Sequence, residues 1–305
     1  MGQIESERGI VVMNVLSLFD GISCGQVALE RAGIKVDKYY ASEIDKNAIK
    51  VTQKNYPNTV QLGDVTKWRE WDIDWSGIDL LIGGSPCQGF SFAGKQLNFE
   101  DDRSKLFFEY VNILNHLKTF NTDIKFFLEN VNMKEEYKNV ISELLGVNSI
   151  LVNSRIISAQ DRKRLYWSNF ELNIPKDNNI SISSIIGNNV FAGAMRGRRI
   201  NQFGKRDDSN TKLKIEQQIE VRKDNKSNCV TTVSKDNVIV FSNEKFFNAL
   251  NNRDKWRYMN SEEFEQLQTL PIGYTDCVSE SSRKKVCGNC WTVDLIAEFF
   301  KVFAL

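Results

Sequence analysis

The chain has 305 residues, 41% apolar and 26% charged, with a formal net charge of +1. This composition excludes a disordered chain, a collagen and a small disulfide scaffold, and the length allows one large domain or two modest ones. No window approaches the ~18 uninterrupted apolar residues of a membrane-spanning helix, and no basic-then-apolar signal opens the chain.

In chain order, Gly2 to Ser6 match a myristoylation pattern, while Met13 reads as an equally good start with 1–12 as a leader. Residues 14–19, 39–43, 80–84, 126–129, 150–157 and 165–168 read as strands. Between them, Ser23 and Gln26 form a capping-box pattern for a helix closed by Gly33. Asp45 is placed to cap a helix ending before Pro57. Leu106, Phe107, Tyr110, Val111, Leu114 and Leu117 fall on one helical stripe. Such alternation predicts an α/β fold with a doubly wound, largely parallel sheet. From 171 to 236, periodicity is poor and Asn, Lys, Arg, Ser and Gly dominate, which reads as a smaller module. Helical signals return at 262–270, preceded by Ser261, and at 292–303.

Charge is uneven. Residues 190–236 carry eleven basic and six acidic side chains, net +5, between segments of −3 and −1. A polyanion contact and a solvated loop both fit. Without a secretion signal, the six cysteines are expected as reduced thiols in a cytoplasm. Cys287 and Cys290 have C-x-x-C spacing, but the one histidine, His116, is distant, so no metal is expected.

Two groups of residues carry chemistry. Phe19-Asp20-Gly21-Ile22-Ser23-Cys24-Gly25 joins the first strand to the first helix, where glycines admit a ligand and helix N–H groups are free. Glu43 ends the second strand, where it can accept ribose hydroxyls, and Asp64 follows the third, where it suits an adenine amino group. Three such strand ends in sequence point to a nucleoside-bearing cofactor without a pyrophosphate clamp, a description S-adenosylmethionine fits; plain turns and helix caps are the alternative. Next, Ser85-Pro86-Cys87-Gln88 follows a very apolar strand, which positions Cys87 as a nucleophile or leaves it an inert buried thiol. Glu129 ends the following strong strand on the same rim. Arg162 and Arg164 precede another strand, where alternation puts them on one face.

These blocks, in this order, resemble the DNA cytosine-5 methyltransferases over residues 13–305. Further matching blocks are Leu267-Gln268-x-Leu270-Pro271 and Gly288-Asn289-x-Trp291-x-Val293. The first block and the final segment are similar to the catalytic domains of mammalian de novo enzymes, and the absence of reader domains favours a bacterial or phage source. The resemblance implies a Rossmann-like sheet over 13–175, a target-recognition domain over 176–257, and a C-terminal segment, 258–305, returning to the first domain. It implies Cys87, Glu129, Arg162 and Arg164 as catalytic residues. It implies that Phe19, Asp20, Gly21, Ile22, Ser23, Gly25, Glu43, Ile44, Asp64, Val65, Pro86, Leu106, Asn289 and Trp291 line an S-adenosylmethionine site, with S-adenosylhomocysteine as product. Ser23-Cys24 departs from the family's glycine-richer first block. The implied partner is double-stranded DNA and, in restriction–modification systems, a cognate endonuclease; the oligomeric state is open. Gln88, Ser91, Thr231 and Thr232 would meet DNA, Arg196, Arg198 and Arg199 would read guanine edges, and Lys205, Arg206, Lys223 and Lys226 would hold phosphates. A tRNA-directed enzyme and a catalytically silent DNA-binding homologue are the alternatives.

Overall fold

A computed structural model describes residues 11–86 and 102–304. Cys87, Gln88 and Ser91 lie outside the described residues. In chain order the elements are β1 (Val12–Leu18), α1 (Cys24–Arg31), β2 (Lys35–Ser42), α2 (Lys46–Asn55), β3 (Val60–Gln61), β4 (Leu80–Gly83), α3 (Asp102–Phe120), β5 (Lys125–Val131), α4 (Glu135–Leu145), β6 (Ile150–Asn153), β7 (Gln160–Asp161), β8 (Lys163–Ser168), α5 (Ser183–Ile186), β9 (Phe191–Arg199), β10 (Ile215–Val221), β11 (Ser227–Asn228), β12 (Val238–Val240), β13 (Phe246–Asn248), β14 (Trp256–Tyr258), α6 (Ser261–Leu267), α7 (Glu280–Asn289) and α8 (Val293–Phe300).

Two compact units emerge. The first holds the described residues up to Val152, then Arg164–Ile174 and the chain from Val293; the second holds Asn153–Lys163 and Pro175–Thr292. The chain therefore leaves the first unit for a short excursion around Gln160, and of the segment from 258 only its last part, from Val293, returns to that unit.

The first unit is a seven-stranded sheet in the order β3-β2-β1-β4-β5-β8-β6. β1 runs parallel to β2 and β4, and β4 parallel to β5, while β8 is antiparallel to β5. The winding reverses between β1 and β4. In a sheet of this type, that is where a crevice opens beyond the carboxyl ends of the strands. Val15, Leu16 and Leu18 of β1 and Leu80, Leu81 and Ile82 of β4 are fully buried. Their near-continuous apolar runs suit a sheet covered on both faces. One cover is α3, whose Phe107, Tyr110, Ile113, Leu114 and Leu117 join the same core as Trp167. Alternation along β5 sends Phe126 and Leu128 into that layer and Phe127 to the opposite face. There the Phe127 ring lies 5.7 Å from Tyr166, 6.2 Å from Phe299 and 5.4 Å from Phe300, centroid to centroid.

Asp45 caps α2, accepting the Asn47 N–H at 2.9 Å. The capping box at Ser23 does not form. Ser23 is left-handed (φ 57°), makes no side-chain cap bond, and turns its hydroxyl to Asp20. Helix α6 is capped by Asn260, not Ser261, with Glu263 closing a reciprocal box. The strand expected over 150–157 stops at Asn153, whose side chain accepts the Arg155 N–H and starts a 3₁₀ turn.

The second unit is more regular than its composition suggests. It holds a five-stranded sheet in the order β13-β10-β9-β12-β14, antiparallel throughout, over a core of Met195, Ile219, Val238, Val240, Phe247 and Trp256. β9 buries four residues in a row, Ala192 to Met195, and β10 exposes Ile215, so the alternation is obscured. No helix among the described residues is long and apolar enough to cross a membrane.

Truncating Phe127 removes a fully buried ring with aromatic neighbours on one face. Phe127→Ala is expected to cost ~3–5 kcal/mol of unfolding free energy, read from the midpoint of a urea titration.

Candidate active site

The loop after β1 is unusually bent. Phe19, Gly21 and Ser23 all have positive φ, at 58°, 61° and 57°. Two buried anchors hold it. The Asp20 N–H donates to the Ser42 carbonyl at 3.1 Å, and the Asp20 carboxylate accepts from the Tyr39 hydroxyl at 2.7 Å and from Ser23. Burial pushes the Asp20 carboxyl above its ordinary value against the pull of the Ser23, Ser17 and Tyr39 hydroxyls, and the charge of Glu43 pushes it further. Gly25 is glycine for packing reasons. A Cβ there would sit 2.5 Å from Ile82 and 2.7 Å from the Tyr39 hydroxyl, so its absence lets α1 rest on the sheet.

Glu43, just past β2, accepts the Gly21 N–H at 2.8 Å through Oε2 and the Ile44 and Asp45 N–H groups, both at 2.7 Å, through Oε1. It thereby ties the first loop to the second and holds its carboxylate in one orientation. Beside it, Ile44 is 72% exposed, a bare apolar side chain on the rim. Asp64, past β3, uses Oδ1 for the Thr66 N–H and hydroxyl, both at 2.9 Å. Its Oδ2 accepts no hydrogen bond from the described residues. Ile22 and Val65 are buried. Pro86 and Leu106 are half-buried. Fixed carboxylates at three successive strand ends and an exposed apolar side chain suit ribose hydroxyls, an amino group and a flat base.

One strand over, Glu129 on β5 is 9% exposed and receives Arg164 Nε at 2.9 Å. Its neighbour Asn130, 1% exposed, donates to Ser85 Oγ at 3.0 Å and to the Ser85 carbonyl. Asn130 thus tethers the chain two residues before Cys87 to the strand that bears Glu129. An amide has no catalytic chemistry of its own, so a sequence pattern does not mark Asn130; its use lies in the tether.

Arg162 and Asn289 and Trp291 belong to the second unit. Arg162 is 4% exposed and donates to the carbonyls of Val230 (3.0 Å) and Cys290 (2.8 Å) and to the Cys229 sulfur (3.3 Å). Gln160 reaches the Leu267 carbonyl and Gln268, and accepts the Val230 N–H at 3.1 Å. Together they join three segments far apart in sequence. Gly288 packs against Thr231 and Thr232, where a Cβ would lie 2.6 Å from the Thr231 backbone. Asn289 is exposed and Trp291 half-buried.

The arginines of the basic segment have partners within the second unit. Arg196 pairs with Asp236, Arg198 with Glu220 at 2.6 Å, Arg206 with Asp208 at 2.5 Å and Arg222 with Asp224 at 2.5 Å. Arg199 donates to the carbonyls of Leu213 and Asp208. The arginines expected at guanine edges therefore have partners on or beside the sheet. Lys226, expected on phosphate, is 6% exposed and donates to the carbonyls of Arg155, Ser158 and Ile180; burial pushes its ammonium below the ordinary lysine value. Lys223 bonds the Asn243 carbonyl and lies 4.4 Å over the Phe191 ring. Thr231 bonds Asp236 at 2.7 Å, while Thr232 and Lys205 are exposed.

Residues 13–170 match the family model of C-5 cytosine-specific DNA methylase. The chain is 35% identical over 173 residues to Type II methyltransferase M.NgoBV of Neisseria gonorrhoeae, covering 50% of this chain and 40% of that one. It is 37% identical over 168 residues to orphan methyltransferase M.SPRI of Bacillus phage SPR, covering 50% and 37%. The match thus spans about two fifths of those relatives' length. Among solved structures it resembles the Entamoeba histolytica methyltransferase EhMeth (TM-score 0.67, 18% identity, 97% of this chain and 98% of that one). It also resembles a putative DNA modification methyltransferase encoded within an E. coli prophage (TM-score 0.61, 17% identity, 94% and 98%).

Removing the Arg164 guanidinium strands a buried carboxylate. Arg164→Met is expected to lower stability by ~3–5 kcal/mol, and Arg164→Met with Glu129→Gln to recover part of it, because the uncompensated charge is gone. Urea titration of the two single variants and the double variant checks this.

Proposed function

Because the chain belongs to the C-5 cytosine-specific DNA methylase family, we propose that it transfers a methyl group from S-adenosylmethionine to carbon 5 of a cytosine in a short specific sequence of duplex DNA, through a covalent adduct on Cys87. The observation that carries this reading is the Glu129–Arg164 pair on the strand tethered by Asn130 to Ser85. It supports a carboxyl group and the Cys87 thiol approaching one base together.

Carbon 5 of cytosine is a poor nucleophile. The Cys87 thiolate adds to carbon 6, forming an S–C bond and moving electron density to carbon 5. Glu129 holds the proton at N3 as charge develops there, and Arg164 keeps Glu129 oriented. Arg162, fixed by peptide carbonyls, keeps the segments around Val230 and Cys290 in register. S-adenosylmethionine, when bound, supplies the electrophilic methyl group. Transfer of the carbon-5 proton to solvent water then expels the Cys87 thiolate and restores the double bond. The target base leaves the stack first, at a cost of a few kcal/mol. On the cofactor side, Glu43 accepts the ribose hydroxyls, Asp64 Oδ2 the adenine amino group, and Ile44 covers the base. A cytoplasm, where DNA and reduced thiols coexist, suits this chemistry.

Cys87→Ser is expected to keep DNA and cofactor binding and to lose nearly all transfer, since a hydroxyl ionises and attacks far less readily. Duplex DNA bearing 5-fluorocytosine should trap the wild type through Cys87, as read by peptide mass mapping. A trap through another cysteine, or transfer to tRNA in place of duplex DNA, would refute the reading.

Asp64→Asn preserves an oxygen for the Thr66 cap but replaces an acceptor by a donor. With Glu43→Gln, it is expected to weaken S-adenosylmethionine binding by ~1–3 kcal/mol. Calorimetry checks this, and unchanged affinity in both variants removes the two residues from the site.

A further inference from the structure

β9 and β10 are joined by residues 200–214, whose tip carries the most exposed large apolar side chain among the described residues, Phe203, at 77%. The tip is firmly built. Asn201 Oδ1 accepts the N–H groups of Phe203 and Lys205, both at 3.0 Å. The Gly204 N–H donates to the Asn201 carbonyl and the Asn201 N–H to the Lys205 carbonyl, both at 2.9 Å, with Gly204 at φ 71° closing the turn. A ring presented on a fixed turn loses little conformational freedom when a partner captures it.

The charge around the tip is unlike the charge on its stem. Arg198 is occupied by Glu220 of β10, and Arg199 and Arg206 by the Leu213 carbonyl and Asp208 of the connection. The ammonium groups of Lys205, Lys212 and Lys214 are exposed and have neither an ion pair nor a hydrogen bond among the described residues. A bare aromatic face flanked by unneutralised cations matches a polyanion that also offers flat rings. Nucleic acid supplies both, in its phosphates and its base stack.

Resting on the methyltransferase reading above, we propose that Phe203 is a stacking wedge for duplex DNA. Its ring lodges against a base step while Lys205, Lys212 and Lys214 hold the flanking phosphates. Inserted apolar side chains open and kink a base step in this way. The wedge positions the duplex and takes no part in bond making.

The test compares the full-length wild type with Phe203→Ala, Phe203→Trp and Lys205→Ala. Affinity for a fluorescein-labelled random-sequence duplex is measured by anisotropy at several salt concentrations, and methyl transfer is measured on genomic DNA. Phe203→Ala is expected to weaken duplex binding roughly tenfold and raise the KM for DNA, with the salt slope, kcat and melting temperature unchanged. Phe203→Trp restores affinity. Lys205→Ala instead lowers the salt slope by ~1. If Phe203→Ala binds like wild type while the wild type methylates DNA, the wedge is wrong and the methyltransferase reading stands. Loss of affinity that Phe203→Trp fails to restore also overturns it, as does a dimer lost in Phe203→Ala with DNA affinity intact. A wild type that neither binds nor methylates duplex DNA overturns both.

Discussion

A parallel sheet covered on both faces can place charge only at the ends of its strands, and the first unit is organised around that constraint. The second half of β1, from Val15, and the whole of β4 are buried, so their polar groups gather beyond the carboxyl ends, where the winding reverses. Asp20, Glu43, Asp64 and Ser85 all follow strands there, and Glu129 lies near the carboxyl end of β5. On that rim several unlike functional groups meet without each incurring the cost of a charge buried in the sheet.

That rim is held by the backbone and by second-line side chains more than by the groups expected to react. Glu43 fixes the Gly21 loop through a peptide N–H, and Asp20 is anchored by Tyr39 and Ser23. Asn130 joins β5 to Ser85. Three residues with positive φ in five, from Phe19 to Ser23, persist because these bonds over-determine the loop. Such a loop is rigid before a ligand arrives, which lowers the ordering cost of binding.

The second unit shows how composition can mislead about available charge. Residues 190–236 are net +5, yet Arg196, Arg198, Arg206 and Arg222 each pair with a carboxylate on or beside the sheet, and Lys226 is buried among carbonyls. A guanidinium forms bidentate or directed pairs readily, so arginines on a strand are consumed by neighbouring Asp and Glu. Charge remains free on lysines at turns, where no strand lies opposite.

The sequence alone determined the strand–helix alternation of the first unit, the buried strands and the stripe on α3, because each is a periodicity of side chains along the chain. It also singled out Glu129 and Arg164, whose blocks are short and carry their chemistry in the residue type; the structure places that pair at 2.9 Å. Cys87, read on the same grounds, lies outside the described residues. Only the tertiary structure decided the rest. It turned Ser23 away from capping, because a left-handed backbone leaves its hydroxyl donating to Asp20 and accepting from the Gln26 side chain in place of a helix N–H, and it made Asn130 a tether. It put residues 258–292 with the second unit, and it built a five-stranded sheet from a segment with little visible periodicity. Those outcomes depend on which partners distant segments bring within hydrogen-bond range. A linear pattern records a residue's own preference but not the neighbour that will compete for it.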